Sequence, residues 1–147
     1  MTAAQLFQIA NTAVLPAWAL LALWPTGRPT RWLVRSYAWS AALAALYLVL
    51  LVRGLGQWPE GGSFNTLAGV MRLFTAEAGV LTGWVHYLAF DLFVGAWIVN
   101  DAVARHLDAG WRRWARLPVL ALTFLFGPVG LLVWLALRRG LATSHPA

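Results

Sequence analysis

Two ionisable side chains, His86 and Asp91, lie inside an apolar run that extends from about Val80 to Val99. Each can give or take a proton, so together they offer the chemistry of general acid–base catalysis. Asp91 falls near the middle of the run. An ionisable residue at the centre of a membrane helix costs about 2.5–3.5 kcal/mol on insertion scales, and such residues usually face the protein interior and mark function. We therefore take Asp91 and His86 as candidate catalytic residues.

Helical geometry separates these two side chains. Five positions correspond to about 140° around an α-helix with 3.6 residues per turn. Asp91 shares its face with Trp84 and with Tyr87, which is four residues earlier and within reach along the helix. His86 lies on a different face, together with Trp97. This geometry excludes an adjacent dyad on one face and leaves open that the two groups meet one ligand from two sides.

A third polar residue within an apolar run is Asn11. Asparagine in an apolar helix commonly hydrogen-bonds across to another helix, and we expect Asn11 to pair with Asp91. A bond from Asp91 to Asn11 or to Tyr87 has two interpretations: it belongs to a functional site, or it fixes the register of the helices. For His86, the corresponding alternative is a histidine that simply bonds a backbone carbonyl.

The ten tryptophans are many for a chain of this length. Several lie near the ends of apolar runs, as in the aromatic belts of membrane proteins. The others either pack between helices or form the wall of a pocket for a flat, conjugated ligand. The candidate ligand-binding residues are Asn11, Tyr87, Trp18, Trp84 and Trp97.

The composition excludes several kinds of chemistry. The sequence contains no cysteine, and therefore no disulfide, thiolate nucleophile or iron–sulfur cluster. It also contains no lysine, which excludes a Schiff base to a carbonyl ligand. Three histidines are too few for the histidine-rich boxes of membrane di-iron enzymes. No glycine-rich phosphate loop or nucleophile elbow is present, so we expect no metal and no cofactor.

The elements that must position these residues are apolar runs. Of the 147 residues, 61% are hydrophobic and 11% are charged, whereas a soluble domain has about 25% charged residues. Four runs meet or approach the length of about 20 residues that a spanning helix needs. The sequence predicts a single all-α membrane domain, a four-transmembrane-helix bundle with helices at about 6–24, 37–52, 80–99 and 117–137. A short interfacial helix is predicted at about 64–75, and Gly127-Pro128 is predicted to kink the fourth spanning helix.

The distribution of arginine predicts the orientation. The arginines lie between apolar runs, which is typical of membrane-flanking charge and not of a nucleic-acid-binding patch. If four helices span, seven arginines lie on the side of the first and third loops, and four lie on the other side. The positive-inside rule then places both termini on the non-cytoplasmic side. Small four-helix bundles often pair, so a homodimer or a complex with a partner membrane enzyme stays open.

Three segments resemble a known family of small membrane proteins. They are 7–18 (FQIANTAVLPAW), 83–97 (GWVHYLAFDLFVGAW) and 122–132 (LTFLFGPVGLL). In this order they are similar to the first helix, the central signature and the last helix of the abscisic-acid-deficient-four-like family. The resemblance covers nearly the whole chain and implies a bacterial-type member in the inner membrane. The plant member of the family is required to make the carotenoid neoxanthin in plastids.

The resemblance implies a carotenoid or related isoprenoid as the hydrophobic ligand, and cofactor-free isomerisation of an epoxy-carotenoid as the reaction. One group would protonate the epoxide oxygen and another would remove a proton from the polyene chain. Asp91 and His86 would transfer these protons, and Asn11 and Tyr87 would orient the ligand. The alternative is a non-catalytic protein that binds a carotenoid or lipid, or that scaffolds another membrane enzyme. A transporter is disfavoured, because the sequence has no internal repeat and few intramembrane charges.

Overall fold

The computed structural model describes residues 1–54, 58–107 and 112–142, and every element of regular secondary structure in this part of the chain is a helix. A π-helical turn at Thr30–Arg35 follows the first helix. The α-helices are α1 (Ala3–Leu23), α2 (Ala38–Gly54), α3 (Leu67–Leu73), α4 (Glu77–Ala104), α5 (Arg112–Phe126) and α6 (Pro128–Ala142). The all-α prediction is confirmed for these residues.

Local sequence signals start and stop the first helix. Thr2 caps α1 through a reciprocal pair of hydrogen bonds: the Gln5 backbone N–H donates to Thr2 Oγ1 at 3.2 Å, and the Thr2 backbone N–H donates to Gln5 Oε1 at 2.9 Å. This capping box satisfies two amide groups that the helix itself leaves unpaired. The helix ends at Leu23 with Trp24 as its C-cap, because a residue that precedes proline, here Pro25, avoids helical geometry.

Helix α4 is the centre of the structure, and both α1 and α2 pack against it. Small residues on α4 allow the close approach of α1. A Cβ atom at Gly95 would lie 2.6 Å from the ring of Trp18, so a larger residue at this position would push the two helices apart. Leu92 and Ala96, on the same side of α4, are fully buried. The core is thus built around the helix that carries both ionisable candidates.

The prediction of one helix over 117–137 is wrong, because the chain folds back on itself there. Gly127, with φ +46°, separates α5 from α6. A Cβ atom on Gly130 would collide with Thr123, although residues seven apart in a continuous helix are separated by about 10 Å along its axis. The two helices therefore form an antiparallel hairpin with its tip at Gly127, not a kinked rod.

Contacts at the far end of the hairpin agree with this fold. The second half of α6 lies near the C-terminal end of α4, where Asp101 accepts hydrogen bonds from Trp134 Nε1 at 2.9 Å and from Arg138 at 3.3 Å. Asp101 also pairs with Arg105 at 2.9 Å. The end of α6 and the start of α1 consequently lie at opposite ends of the bundle. The prediction that both termini share one side is therefore wrong for the described part of the chain.

The π-helical turn joins the same end of the bundle. Arg35 Nε donates to Asn100 Oδ1 at 2.7 Å, and Asn100 Nδ2 donates to the Arg35 carbonyl at 2.9 Å and to the Tyr37 hydroxyl at 3.1 Å. We call this end of the molecule the arginine end. It holds nine of the eleven arginine positions, Arg28, Arg31, Arg35, Arg105, Arg112, Arg113, Arg116, Arg138 and Arg139.

Two of the described helices, α1 and α4, are long and apolar enough to cross a membrane by length and composition. Helix α2 is apolar but has only 17 residues. Helices α5 and α6 have 15 residues each, or about 22 Å, which is shorter than the ~30 Å hydrocarbon core of a bilayer. The predicted helix at 64–75 corresponds to the seven-residue α3, which packs through Leu73 against Gly79 at the start of α4.

Candidate functional site: a buried carboxyl at the hairpin tip

Asp91 lies at the midpoint of α4 and is 7% exposed. Its Oδ1 atom lies directly against Gly127, where a Cβ atom would overlap it. Two independent constraints thus require glycine at the hairpin tip. The positive φ angle disfavours any L side chain, and the carboxyl group occupies the space that such a side chain would need.

The second oxygen of this carboxyl group, Asp91 Oδ2, is buried and has no hydrogen-bond partner among the described residues. The Tyr87 hydroxyl lies close to this carboxyl group. Its hydrogen, however, is donated to the Leu125 carbonyl at 3.0 Å. In a continuous helix, that carbonyl would accept from residue 129, so the break at Gly127 leaves it free for Tyr87. A buried polar atom without a partner is uncommon and costly, which makes Asp91 the strongest candidate for chemistry.

Aromatic rings line α4 from its N-terminal half up to Asp91. Phe7 of α1 lies 5.5 Å from Trp84 between ring centroids, and Trp84 stacks on Tyr87 at 5.5 Å with an interplanar angle of 26°. We call Phe7, Trp84 and Tyr87 the aromatic strip. Trp84 remains 37% exposed, so the strip presents an accessible face next to the buried carboxyl.

Asn11 binds the aromatic strip and not Asp91. The Trp84 indole N–H donates to Asn11 Oδ1 at 3.2 Å, whereas no bond between Asn11 and Asp91 is found within the described residues. The expected Asn11–Asp91 pair is therefore replaced by a bond closer to the start of α4. The physical reason is depth: Asn11 bonds Trp84 and therefore lies level with it, about two turns of α4 away from Asp91.

His86 faces the opposite direction from Asp91. Its ring lies 5.3 Å from Tyr47 of α2 and 4.6 Å from Phe90, and it lines a cavity of about 250 Å³ between α2, α3 and α4. Asp91 instead contacts the α5–α6 hairpin. The two residues are thus on different faces of α4, as helical geometry predicts, and the described structure does not bring them together.

The other two tryptophans predicted for the site, Trp18 and Trp97, make packing contacts elsewhere in the structure. Trp18 is almost fully buried, lies on Gly95 and meets the ring of Phe124 edge-on at 5.5 Å. Trp97 lies near the arginine end, where the Arg138 guanidinium is 5.4 Å from its ring centroid. Trp18 thus joins α1, α4 and α5, and neither ring reaches the aromatic strip.

Comparison with known proteins assigns the chain to a family. A family model described as ABA DEFICIENT 4-like matches residues 5–134. The chain belongs to the ABA DEFICIENT 4-like family. The match runs from the first turn of α1 to Trp134 in α6, and it contains Asp91, His86 and the whole hairpin tip.

A relative within this family is the Arabidopsis thaliana protein named "Protein ABA DEFICIENT 4, chloroplastic". It is 26% identical over 137 residues, which cover 88% of this chain and 58% of the relative. The chain therefore spans little more than half of the length of that protein. No solved structure matches the chain.

Two features of this family member are not apparent from the sequence pattern. The first is that Gly127 forms the tip of a hairpin, whereas the sequence predicts only a kink there. The second is Asp101, which lies at the end of the apolar run and joins α4 to α6. The dipeptide Gly127-Pro128 was the available signal, because glycine permits a positive φ angle and proline cannot continue the hydrogen bonding of α5. Among the described residues, no cluster of potential metal ligands is present.

Proposed function

We propose that this family member is an integral membrane protein that isomerises an epoxy-carotenoid or a related cyclic isoprenoid within the bilayer, without a cofactor, with Asp91 as the proton-transfer group. One observation carries the proposal: a buried carboxyl with an unpaired oxygen lies at mid-length of the central helix, beside the tip of a helical hairpin. Membership of the family supports the carotenoid class of substrate.

The proposed membrane architecture has three spanning helices and one re-entrant hairpin. Helix α4 has 28 residues, or about 42 Å, which exceeds the ~30 Å hydrocarbon core and puts its midpoint deep in the bilayer. Apolar side chains on several helices point outwards, where lipid would cover them, as at Leu48, Phe90, Phe93 and Leu132. Helices α5 and α6 enter from the arginine end and turn back at Gly127, next to Asp91.

The proposed orientation places the arginine end in the cytoplasm. Nine arginine positions lie at that end, and only Arg53 and Arg72 lie at the other end. The positive-inside rule then places the start of α1 outside the cytoplasm and the end of α6 inside it. Four spanning helices would divide the arginines seven against four. The hairpin makes the division nine against two, because it brings Arg138 and Arg139 back to the basic side.

The proposed reaction needs a single carboxyl group, because an isomerisation consumes no net proton. Asp91 begins as the neutral acid and gives its proton to the epoxide oxygen, and the C–O bond to the ring carbon that bears the polyene chain breaks. The resulting carboxylate removes a proton from the neighbouring polyene carbon. The electron pair of that C–H bond forms the new double bond of an allene, and the acid is regenerated. No step needs His86, which faces the other side of α4.

The residues around Asp91 support its proposed role in proton transfer. The aromatic strip offers flat apolar surfaces along which a polyene chain can lie, and it ends beside the carboxyl. Tyr87 holds the hairpin tip through the Leu125 carbonyl, which fixes the tip at the reacting depth. A proton-transfer group that is kept away from water protects a carbocation-like intermediate from hydrolysis.

The test is conversion of violaxanthin in cells that accumulate this epoxy-carotenoid and express the chain. Extracted pigments are separated by chromatography, and an allenic isomer of unchanged mass is the expected product. Asp91→Asn should lower conversion by about 10²–10⁴-fold, the range for loss of a general acid–base group. Glu77→Gln makes the same carboxyl-to-amide change at an exposed position of the same helix, and it should leave conversion unchanged.

Two results would contradict the enzyme proposal. One is equal conversion by the Asp91→Asn variant and the unchanged chain. The other is a violaxanthin that copurifies unconverted with the chain, which would establish the alternative of a non-catalytic carotenoid-binding protein. Expression and monodisperse elution in detergent are compared for every variant, so that a folding defect is recognised.

A further inference from the structure

A second site lies on the other face of α4, at the end of the bundle opposite the arginine end. It is the cavity of about 250 Å³ between α2, α3, the start of α4 and the segment that begins at Trp58. Most of its described lining is apolar or aromatic, with Leu50, Trp58, Phe64 and Phe74 among the larger side chains. Asp91 and the aromatic strip are not among its described lining residues. The cavity is therefore separate from the proposed reaction site.

The polar groups of this cavity are few, and two of them, the Tyr47 hydroxyl and His86, have no hydrogen-bond partner among the described residues. Thr82 Oγ1 donates to the Ala78 carbonyl at 2.7 Å, so its hydrogen is already used. His86 contacts the rings of Tyr47 and Phe90. Within the part of the chain that the structure describes, no hydrogen bond to either ring nitrogen of His86 is found. A histidine in an apolar segment is expected to bind a polar partner, and here that partner must come from outside the described protein.

The size of the cavity limits what it can hold. Ligand pockets for whole drug-sized molecules measure about 300–1,000 Å³, so a cavity of about 250 Å³ fits one ring and not a complete carotenoid. The close contact of α3 with α4 closes one wall, since a Cβ atom at Gly83 would lie 2.7 Å from the Phe74 ring. His86 is exposed, so the remainder of a long ligand can leave the cavity on that side.

We propose that this cavity binds the hydroxylated end ring of a second isoprenoid molecule, with the ring hydroxyl hydrogen-bonded to His86. The bound molecule does not react there, because the proposed proton-transfer group is on the opposite face of α4. The isoprenoid class of the ligand rests on the proposed function. The preference for a hydroxylated ring rests only on the cavity and on His86.

The test uses zeaxanthin and β-carotene, which differ only in the hydroxyl group on each ring. Neither carries an epoxide, so neither is a substrate for the proposed isomerisation. The purified chain in lipid nanodiscs is equilibrated with each pigment and purified again, and retained pigment per protein is measured by absorbance. One hydrogen bond should give a preference for zeaxanthin of about three- to tenfold.

Three variants show which residue is responsible for the preference for zeaxanthin. His86→Phe keeps a ring between Tyr47 and Phe90 but removes the hydrogen bond, so the preference should disappear. His86→Gln keeps a hydrogen-bonding group and should retain part of the preference. Asp91→Asn should not change it.

A fourth variant, Ala78→Phe, adds a ring inside the cavity without removing a buried side chain, and it should lower the retention of both pigments. Equal retention of the two pigments by the unchanged chain would overturn the proposal, as would an undiminished preference in His86→Phe. Loss of the preference in Asp91→Asn alone would place the binding at the hairpin tip and would also overturn it. Since binding is measured without turnover, failure of the isomerase proposal leaves this result interpretable.

Discussion

The carboxyl group of Asp91 lies against the Cα atom of Gly127, so the midpoint of α4 touches the tip of the α5–α6 hairpin. This contact joins two residues that are 36 positions apart. It places an unpaired oxygen of the carboxyl group where the backbone has no side chain to cover it. A helical hairpin that ends at the middle of the bundle exposes a turn there, and the carboxyl group lies directly against that turn.

Replacing Gly127 with alanine should destabilise the fold by about 2–5 kcal/mol. A positive φ angle costs an L residue about 1–2 kcal/mol, and the new methyl group overlaps Asp91, which adds about 1–3 kcal/mol of overpacking. Thermal unfolding in detergent measures the change. In an Asp91→Ala background the overlap is absent, so Gly127→Ala should lower the stability only by the cost of the positive φ angle, about 1–2 kcal/mol.

Gly140→Ala is the matched control for this substitution. Gly140 is exposed in α6, and a Cβ atom there meets no neighbour within 4 Å. Alanine favours a helix over glycine by up to about 1 kcal/mol, so Gly140→Ala should leave stability unchanged or raise it. If Gly127→Ala were tolerated equally well, the assigned conformation of the hairpin tip would be wrong.

Replacing Tyr87 with phenylalanine should loosen the hairpin tip. The substitution keeps the ring that stacks on Trp84 but removes the hydrogen bond to the Leu125 carbonyl. Loss of this bond should cost about 0.5–1.5 kcal/mol, or more if the carbonyl stays unpaired. Hydrogen exchange of amides near the tip should become faster, and conversion of violaxanthin should fall without being abolished.

Tyr47→Phe provides the comparison, because Tyr47 also contacts the face of α4 with its ring but lies on the His86 side. Its hydroxyl contacts neither Asp91 nor the hairpin in the described structure, so exchange at the hairpin tip should not change. Equal acceleration in both variants would show that the effect is general loosening and not loss of the Leu125 bond.

Part of this arrangement follows from the sequence alone. The 3.6-residue period places Trp84, Tyr87 and Asp91 on one face of α4 and His86 on another, and the contacts agree. Periodicity is a local property of one helix, so it needs no knowledge of the neighbours. The partner of Asn11 was not predictable, because the relative depth of α1 and α4 is set by packing at Gly95 and not by either helix alone.

The hairpin shows a second limit of sequence-based prediction. Hydropathy is the same for a kinked spanning helix and for two helices that fold back, since both bury the same apolar residues. The difference lies in the φ angle of Gly127 and in the contact of Gly130 with Thr123, which are tertiary features. The prediction that both termini lie on one side failed for the same reason, because the position of Arg138 and Arg139 depends on whether the chain turns back.

Cysteine labelling can test the hairpin and the orientation together. The chain contains no cysteine, so single substitutions need no altered background. Arg31→Cys, Arg139→Cys, Arg53→Cys and Ala4→Cys replace exposed residues at the two ends of the bundle. A maleimide that cannot cross membranes is applied to right-side-out and to inverted vesicles, and labelling is read as a mass shift.

The re-entrant hairpin predicts that Arg139→Cys reacts from the same side as Arg31→Cys, and that Ala4→Cys and Arg53→Cys react from the other side. The positive-inside rule identifies the side of Arg31→Cys as cytoplasmic. A fourth spanning helix would instead group Arg139→Cys with Ala4→Cys. Because only the end of α6 changes sides between these two architectures, the agreement of Arg31→Cys and Arg139→Cys decides whether Gly127 turns the chain back at the depth of Asp91.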